Sequence, residues 1–282
     1  MSLADYAAQH QLRRVGARPT FPAYIRQVWA RRAFIYSLAR FRIQGDNERN
    51  RLGMAWVVLK PLLSAVVYGV VFGLLQAGNR PENFVQYLVV GVMMFEFFNH
   101  SMGQGSKSIT KNTALVQSLA FPRMVLPLAT AAQQALSFGP MVLVMLLINI
   151  VMGSPIQFDW LLLIPAFALY ICFNTGVTLI AARLTVHFRD LDQLLPFISR
   201  IFFYTSGVFF DPQKILVDYP TALKVYDFQP LHEFMTIVRG LLVPGYDVPP
   251  MFWIYAACWS LILLAFGSIF FWEAEERYGR DD

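Results

Sequence analysis

The sequence predicts an all-α membrane protein with six transmembrane helices, and three observations lead there. Charged residues are only 15% of the 282 positions and hydrophobic ones 56%, against about 25% charged in a soluble domain. The apolar residues gather in six runs long enough to cross a bilayer, which takes about 20 residues of helix. Lysine and arginine alternate in abundance between successive loops, the pattern that separates cytoplasmic from outer loops. One water-soluble core cannot hide this much apolar surface, so soluble classes are set aside. The pI near 9.3 fits arginine-rich cytoplasmic segments beside anionic lipid better than it fits nucleic acid.

Taken in order, residues 1–50 read as a cytoplasmic N-terminal segment and 51–282 as the six-span domain. Residues 1–20 lack the apolar core of a cleavable signal. Residues 21–43, FPAYIRQVWARRAFIYSLARFRI, interleave aromatics with arginine. This predicts an amphipathic interface helix along the cytoplasmic leaflet. The arginines are not confined to one face, so a plain basic linker stays open. The spans are placed at about 55–75, 84–103, 125–151, 158–182, 194–210 and 250–272. The fifth is the shortest and carries Arg200. Cys172 and Cys258 lie in different apolar runs and read as small buried hydrophobes.

Between spans five and six, Pro212, Pro220, Pro230, Pro244, Pro249 and Pro250 cut the chain into short pieces. Within them, 231–243 sets Leu231, Phe234, Val238, Leu241 and Leu242 at helical spacing. Such a helix reaches about 20 Å, too short to cross. A re-entrant or interfacial hairpin is predicted, the alternative being a surface loop with one amphipathic helix.

Orientation follows from the basic residues. Ten arginines precede the first span, Arg80 alone follows it, Lys107, Lys111 and Arg123 follow the second, and Arg183 and Arg189 the fourth. The N-terminus, the 104–124 loop and the 183–193 loop are therefore expected in the cytoplasm, and six spans return the C-terminus there.

Built catalytic motifs are missing. Gly105-Ser106-Lys107-Ser108 imitates the end of a phosphate-binding loop, but a Walker A motif sets Gly directly before Lys and follows a strand. His10, His100, His187 and His232 are scattered, and no metal is expected. Glu96 and His100 share a face of the second span. An ionisable residue there is a functional candidate, while a polar pair near a helix end is the plainer reading.

Four patches carry a family resemblance. NRLGMAWVVLKPLL (50–63) leads into the first span, and GSKSITKNTALVQSLAFPRMVLP (105–127) links the second and third. VHFRDLDQLLP (186–196) precedes the fifth, and YDFQPLHEFMTIVRGLL (226–242) precedes the last. In their order along a chain of six spans they resemble the membrane subunit of the ABC-2 type polysaccharide exporters (Wzm/KpsM/TarG-like permeases). Gln229 stands where that family usually has Asn, and TSGVFF (205–210) replaces its usual S-P-(I/V).

The resemblance implies a permease that exports a lipid-linked polysaccharide across the bacterial cytoplasmic (inner) membrane and is not itself an enzyme. It implies a homodimer over two separate ATPase subunits, with ATP and Mg in those partners and no cofactor on this chain. Glycan and membrane lipid are the other partners; nucleic acid is not one. Ser106, Lys107, Lys111, Asn112, Arg189 and Asp190 would then lie on short coupling helices that dock on the ATPase. Arg200, Phe197, Phe203, Tyr204, Trp56, Tyr68 and Phe72 are candidates for the substrate path, where aromatic faces meet sugar C–H groups. Arg200 would meet a lipid-linked pyrophosphate or an aqueous channel, or snorkel to headgroups. Pro230, Leu231, Phe234 and Arg239 would form an outer gate. An ABC-2 permease for a drug or small lipid, and a membrane enzyme acting on polyprenyl-phosphate sugars through Asp190 and Asp192, are the competing readings.

Overall fold

The computed structural model describes residues 19–48, 51–53, 55–75, 83–118, 121–188, 190–215, 217–276 and 278. Among them every regular element is helical. The N-terminal pair is α1 (Phe21–Ala30) and α2 (Arg32–Glu48), followed by α3 (Ala55–Leu75) and α4 (Phe84–Ser106). A short α5 (Thr113–Ser118) precedes α6 (Val125–Val151), α7 (Leu163–His187) and α8 (Leu191–Thr205). Three short pieces, α9 (Pro212–Ile215), α10 (Pro220–Asp227) and α11 (Pro230–Leu242), lead to α12 (Met251–Glu273).

Four helices are long and apolar enough to cross a membrane: Ala55–Leu74, Val125–Val151, Phe158–His187 and Met251–Glu273. They coincide with the first, third, fourth and sixth expected spans. The other two depart from the expectation for separate reasons. α4 has the length, 23 residues, but carries Gln86, Glu96, Asn99, His100 and Gln104. It tolerates them because it is the central helix, with 17 of its residues buried against α3, α6, α7, α8 and α11. A helix that faces protein need not be apolar all round. α8 has 15 residues, about 22 Å of helix, less than a bilayer core. The expected span to residue 210 stops at Thr205 because the chain turns through Gly207, whose φ is 71°, a conformation that disfavours any residue with a Cβ.

The closest pairing is α7 with α12. A Cβ on Gly176 would sit 2.5 Å from the Leu263 carbonyl carbon and oxygen, and one on Gly267 2.7 Å from the Gly176 oxygen. Small residues let the two backbones touch, the usual source of cohesion where lipid supplies no hydrophobic drive. Ser260 Oγ adds a hydrogen bond to the Leu169 carbonyl at 2.8 Å.

The large core is aromatic. Phe97 stacks on Phe138 at 4.5 Å between ring centres, and Tyr170 meets Phe234 at 4.8 Å. A second core at the α1 end gathers Tyr24, Val28, Ile109, Val116, Met124, Phe271 and Tyr278. The expected interface helix is thus two helices broken at Arg31. α2 lies on α6, where an Arg42 guanidinium N–H donates to Thr130 Oγ1 at 2.8 Å. α11 also differs from the half-buried helix its spacing suggests. Leu231 through Arg239 are all buried, polar residues included, because α4, α7 and α12 pack around the helix.

Candidate coupling face and substrate path

The segment after α4 is held by its own side chains. Asn112 Nδ2 donates to the Ser108 carbonyl at 2.7 Å and Thr113 Oγ1 to the Thr110 carbonyl at 2.9 Å. Short polar residues favour such local bonds over a continuous helix, so a turn and a 3-10 stretch, Thr110–Asn112, replace one long helix. Ile109 and Val116 plug the second core, while Thr110, Lys111, Thr113 and Ala114 are exposed.

Ser106 is buried and Lys107 half-buried, and both turn toward α8 instead. Ser106 Oγ donates to Asp192 Oδ1 at 2.9 Å, and Lys107 Nζ lies 3.5 Å from Asp192 Oδ2. One carboxylate in the first turn of α8 thereby joins the end of α4 and the start of the coupling segment to α8. Of the two lysines four apart, Lys107 pairs within its own chain and Lys111 stays exposed. Asp190 is exposed and occupies the α8 N-cap position without a capping bond. Arg189 lies outside the described residues. From sequence Asp192 reads only as half of a carboxylate pair with Asp190; its place in the first turn of α8 is the one local signal for its contacts.

Beside this face, Tyr24 Oη donates to Glu275 Oε2 at 2.5 Å, and the Arg123 backbone N–H donates to Glu275 Oε1 at 2.9 Å. The Met124 N–H in turn donates to Tyr24 Oη at 3.1 Å. This clasp ties α1, the start of α6 and the C-terminal residues together. Burial raises the Glu275 carboxyl above its ordinary value, against the opposing pull of the Arg123 N–H and the Tyr24 hydroxyl. Burial, then the Glu275 charge, raises the Tyr24 phenol.

The path candidates split into two sets. Tyr68, Phe72 and Phe203 converge with Phe209. Phe72 stacks on Phe209 at 4.2 Å, Phe203 meets it edge-on at 4.7 Å, and Tyr68 and Phe203 lie 5.1 Å apart. Phe197, Tyr204 and Arg200 sit on the exposed side of α8, and Trp56 is half-buried at the start of α3. Arg200 also borders a cavity of about 240 Å³ between α3, α4 and α8.

At the other end, Pro230 starts α11 half-buried, and Leu231, Phe234 and Arg239 are fully buried. The Arg239 guanidinium lies 3.4 Å from the Tyr87 ring centre and donates to the carbonyls of Tyr87 and Val208, each at 3.3 Å. Tyr87 Oη lies 2.9 Å from the Gly207 oxygen and 2.6 Å from that of Phe210. Gly91 makes room, since a Cβ there would lie 2.5 Å from an Arg239 nitrogen. Arg239 and Tyr87 together pin the chain that leaves α8 to α4. Among the described residues no group of three His, Cys, Asp or Glu could hold a metal ion.

Residues 35–243 match the ABC-2 type transporter family. The chain belongs to that family. All four patches that carried the resemblance lie inside the matched stretch. The chain is similar to the O-antigen export system permease protein RfbA of Myxococcus xanthus, 24% identical over 254 residues, which cover 89% of this chain and 96% of that protein. It is 26% identical to RfbA of Klebsiella pneumoniae over 199 residues, covering 70% and 75%. It is 22% identical to the polysialic acid transport protein KpsM of Escherichia coli over 228 residues, covering 80% and 87%. In this ABC-2 protein the matched stretch runs from α2 through α11, so it takes in the segment after α4, α8 and the buried α11.

Proposed function

We propose that this chain is the transmembrane permease subunit of an ABC transporter that exports a lipid-linked polysaccharide across the bacterial cytoplasmic membrane. Support comes from the family match and from relatives whose names specify O-antigen export and polysialic acid transport. In this reading two copies form the pore and two separate ATPase subunits, which hold ATP and Mg, dock beneath. All six expected spans cross, with α4 screened from lipid and α8 joined by the turn at 206–210 to complete the fifth. α1 and α2 lie along the cytoplasmic leaflet, and α9 to α11 form a re-entrant outer gate.

The observation that carries the mechanism is the Asp192 junction. A push on the exposed Thr110–Ala114 surface is delivered through Ser106 and Lys107 to the first turn of α8. Helices move as near-rigid units, so displacing that turn shifts Phe197, Arg200, Phe203 and Tyr204 together, while the Arg239–Tyr87 pin holds the opposite end. Asn112 keeps the coupling segment in shape, and Lys111, Asp190 and Arg189 are its contacts with the ATPase. Tyr68, Phe72 and Trp56 line the facing wall. The test is depletion of the chain followed by analysis of lipid-linked glycan. Full-length polymer accumulating on the cytoplasmic side is expected; truncated or chemically unmodified polymer would point to an enzyme instead.

A further inference from the structure

Gln229, His232, Glu233, Thr236 and Arg239 recur at helical spacing and form a polar stripe along α11. Its two ends are answered by neighbours. The Gln229 amide N–H donates to Ser206 Oγ at 3.0 Å, and Arg239 is held by Tyr87 and the Val208 carbonyl. Glu233, between them, is not. It is fully buried, and the Trp259 indole is the donor turned toward it. Neither of its carboxyl oxygens accepts a well-formed hydrogen bond among the described residues.

A carboxyl so placed is kept by a cation, by several N–H donors or by a proton. Glu233 forms no ion pair among the described residues. The neighbours of α11 are α4, α7, α10, α12 and the turn at 158–162. Residues 84–95 of α4, 163–175 of α7 and the whole of α12 contain no Lys, Arg or His, and Lys224 of α10 is exposed. Arg239 lies about 9 Å further along the helix and is engaged as above. The other titratable groups that face α11 supply no positive charge. Tyr87 of α4 meets Arg239, Tyr170 of α7 meets Phe234 and Tyr246 meets Thr236. Tyr255 of α12 stacks on Phe228, and Asp159 in the turn is exposed. On α10, Tyr226 packs on His232, while Asp227 stands 4.0 Å from His232 and would oppose a second negative charge. The positive end of the α11 dipole is one turn away, a smaller effect than the lost hydration of a fully buried carboxylate. One indole does not replace that hydration, which leaves the proton.

We propose that Glu233 is a proton-binding site: α11 keeps its buried place while the carboxyl holds a proton and is loosened when the proton leaves. The contribution to packing is complete below the ordinary carboxylate value and is lost as pH rises through the higher value of the folded chain. The test follows the full-length protein in lipid nanodiscs by infrared spectroscopy and hydrogen exchange from about pH 6 to 10. The parent should show the stretch of a neutral carboxylic acid that fades as pH rises and is missing from Glu233→Gln. Exchange in peptides covering 230–242, corrected for the chemical rate at each pH, should quicken in the parent by up to about tenfold per pH unit, the slope of one released proton. Glu233→Gln and Glu233→Met release no proton and should both flatten that slope, so that each is better protected than the parent at the alkaline end. Absence of an acid band assignable to Glu233 at the lowest pH, or the parent's slope in both variants, overturns the proposal. Neither measurement uses glycan, ATP or an ATPase subunit, so the result stands apart from the export reading.

Discussion

At the scale of single residues, Asp192 carries more of the proposed mechanism than its energy suggests. Its ion pair with Lys107 is partly exposed, 28% on the acid side, and such pairs contribute about 0–1 kcal/mol. Its value is positional, because it is bonded at once to the end of α4 and to the coupling segment. Asp192→Ala should therefore lower unfolding stability by about 1–2 kcal/mol, from the pair and one hydrogen bond, while cutting glycan export far more steeply. Asp192→Asn keeps an acceptor for Ser106 and should recover part of that export. Wild-type export by Asp192→Ala at equal membrane abundance would remove the junction from the mechanism. Glu275 yields a pH prediction. Burial raises its carboxyl above the ordinary carboxylate value, so the folded chain keeps a proton that the unfolded chain has already released. Its contribution to stability falls as pH rises from the ordinary value to the raised one. Glu275→Gln should flatten that slope in thermal unfolding scans of the detergent-solubilised protein from about pH 4 to 8; parallel slopes for the two proteins would contradict the assignment.

At the scale of elements, α4 and α8 show why hydropathy and fold part company. α4 lies at the centre of the bundle and so carries residues that a lipid-facing helix excludes. α8 is short because Gly207 turns the chain away. The coupling segment makes a topological prediction of its own. In a background with Cys172 and Cys258 replaced by serine, Lys111→Cys should react with a membrane-impermeant maleimide in inside-out vesicles and resist it in intact spheroplasts. The reverse pattern would invert the orientation and detach this loop from any cytoplasmic ATPase. α11 is legible in outline only. Its proline start and its length follow from sequence, whereas the burial of His232, Glu233 and Arg239 follows from the neighbours that close over it.

For the molecule as a whole, α3 and α8 form an exposed face that carries a charged side chain among apolar ones. Phe197, Ile201 and Tyr204 on α8 are 61%, 63% and 54% exposed, and Val66 and Val67 on α3 are 62% and 58% exposed. A helix with Arg200 among those residues is ill suited to face lipid, so a second copy is the occupant expected there. Ile201→Cys, in the same background without native cysteines, should form a disulfide-linked dimer in native membranes under mild oxidation. A cysteine at Leu261, on the exposed flank of α12, should remain monomeric. Cross-linking through Leu261→Cys and not Ile201→Cys would move the pore elsewhere.

The sequence by itself determined the membrane class, four of the expected spans and the family. Lipid forces each crossing segment to satisfy its backbone internally, so composition, run length and charge alternation carry that information locally. The patches at 50–63, 105–127, 186–196 and 226–242 added their order along the chain. Only the tertiary structure decided that Asp192 meets Ser106 across 86 positions, that Glu96 and Arg200 border one cavity, and that Arg239 is enclosed beside Tyr87. Those contacts depend on the angles and depths at which distant helices cross, and no local periodicity records them.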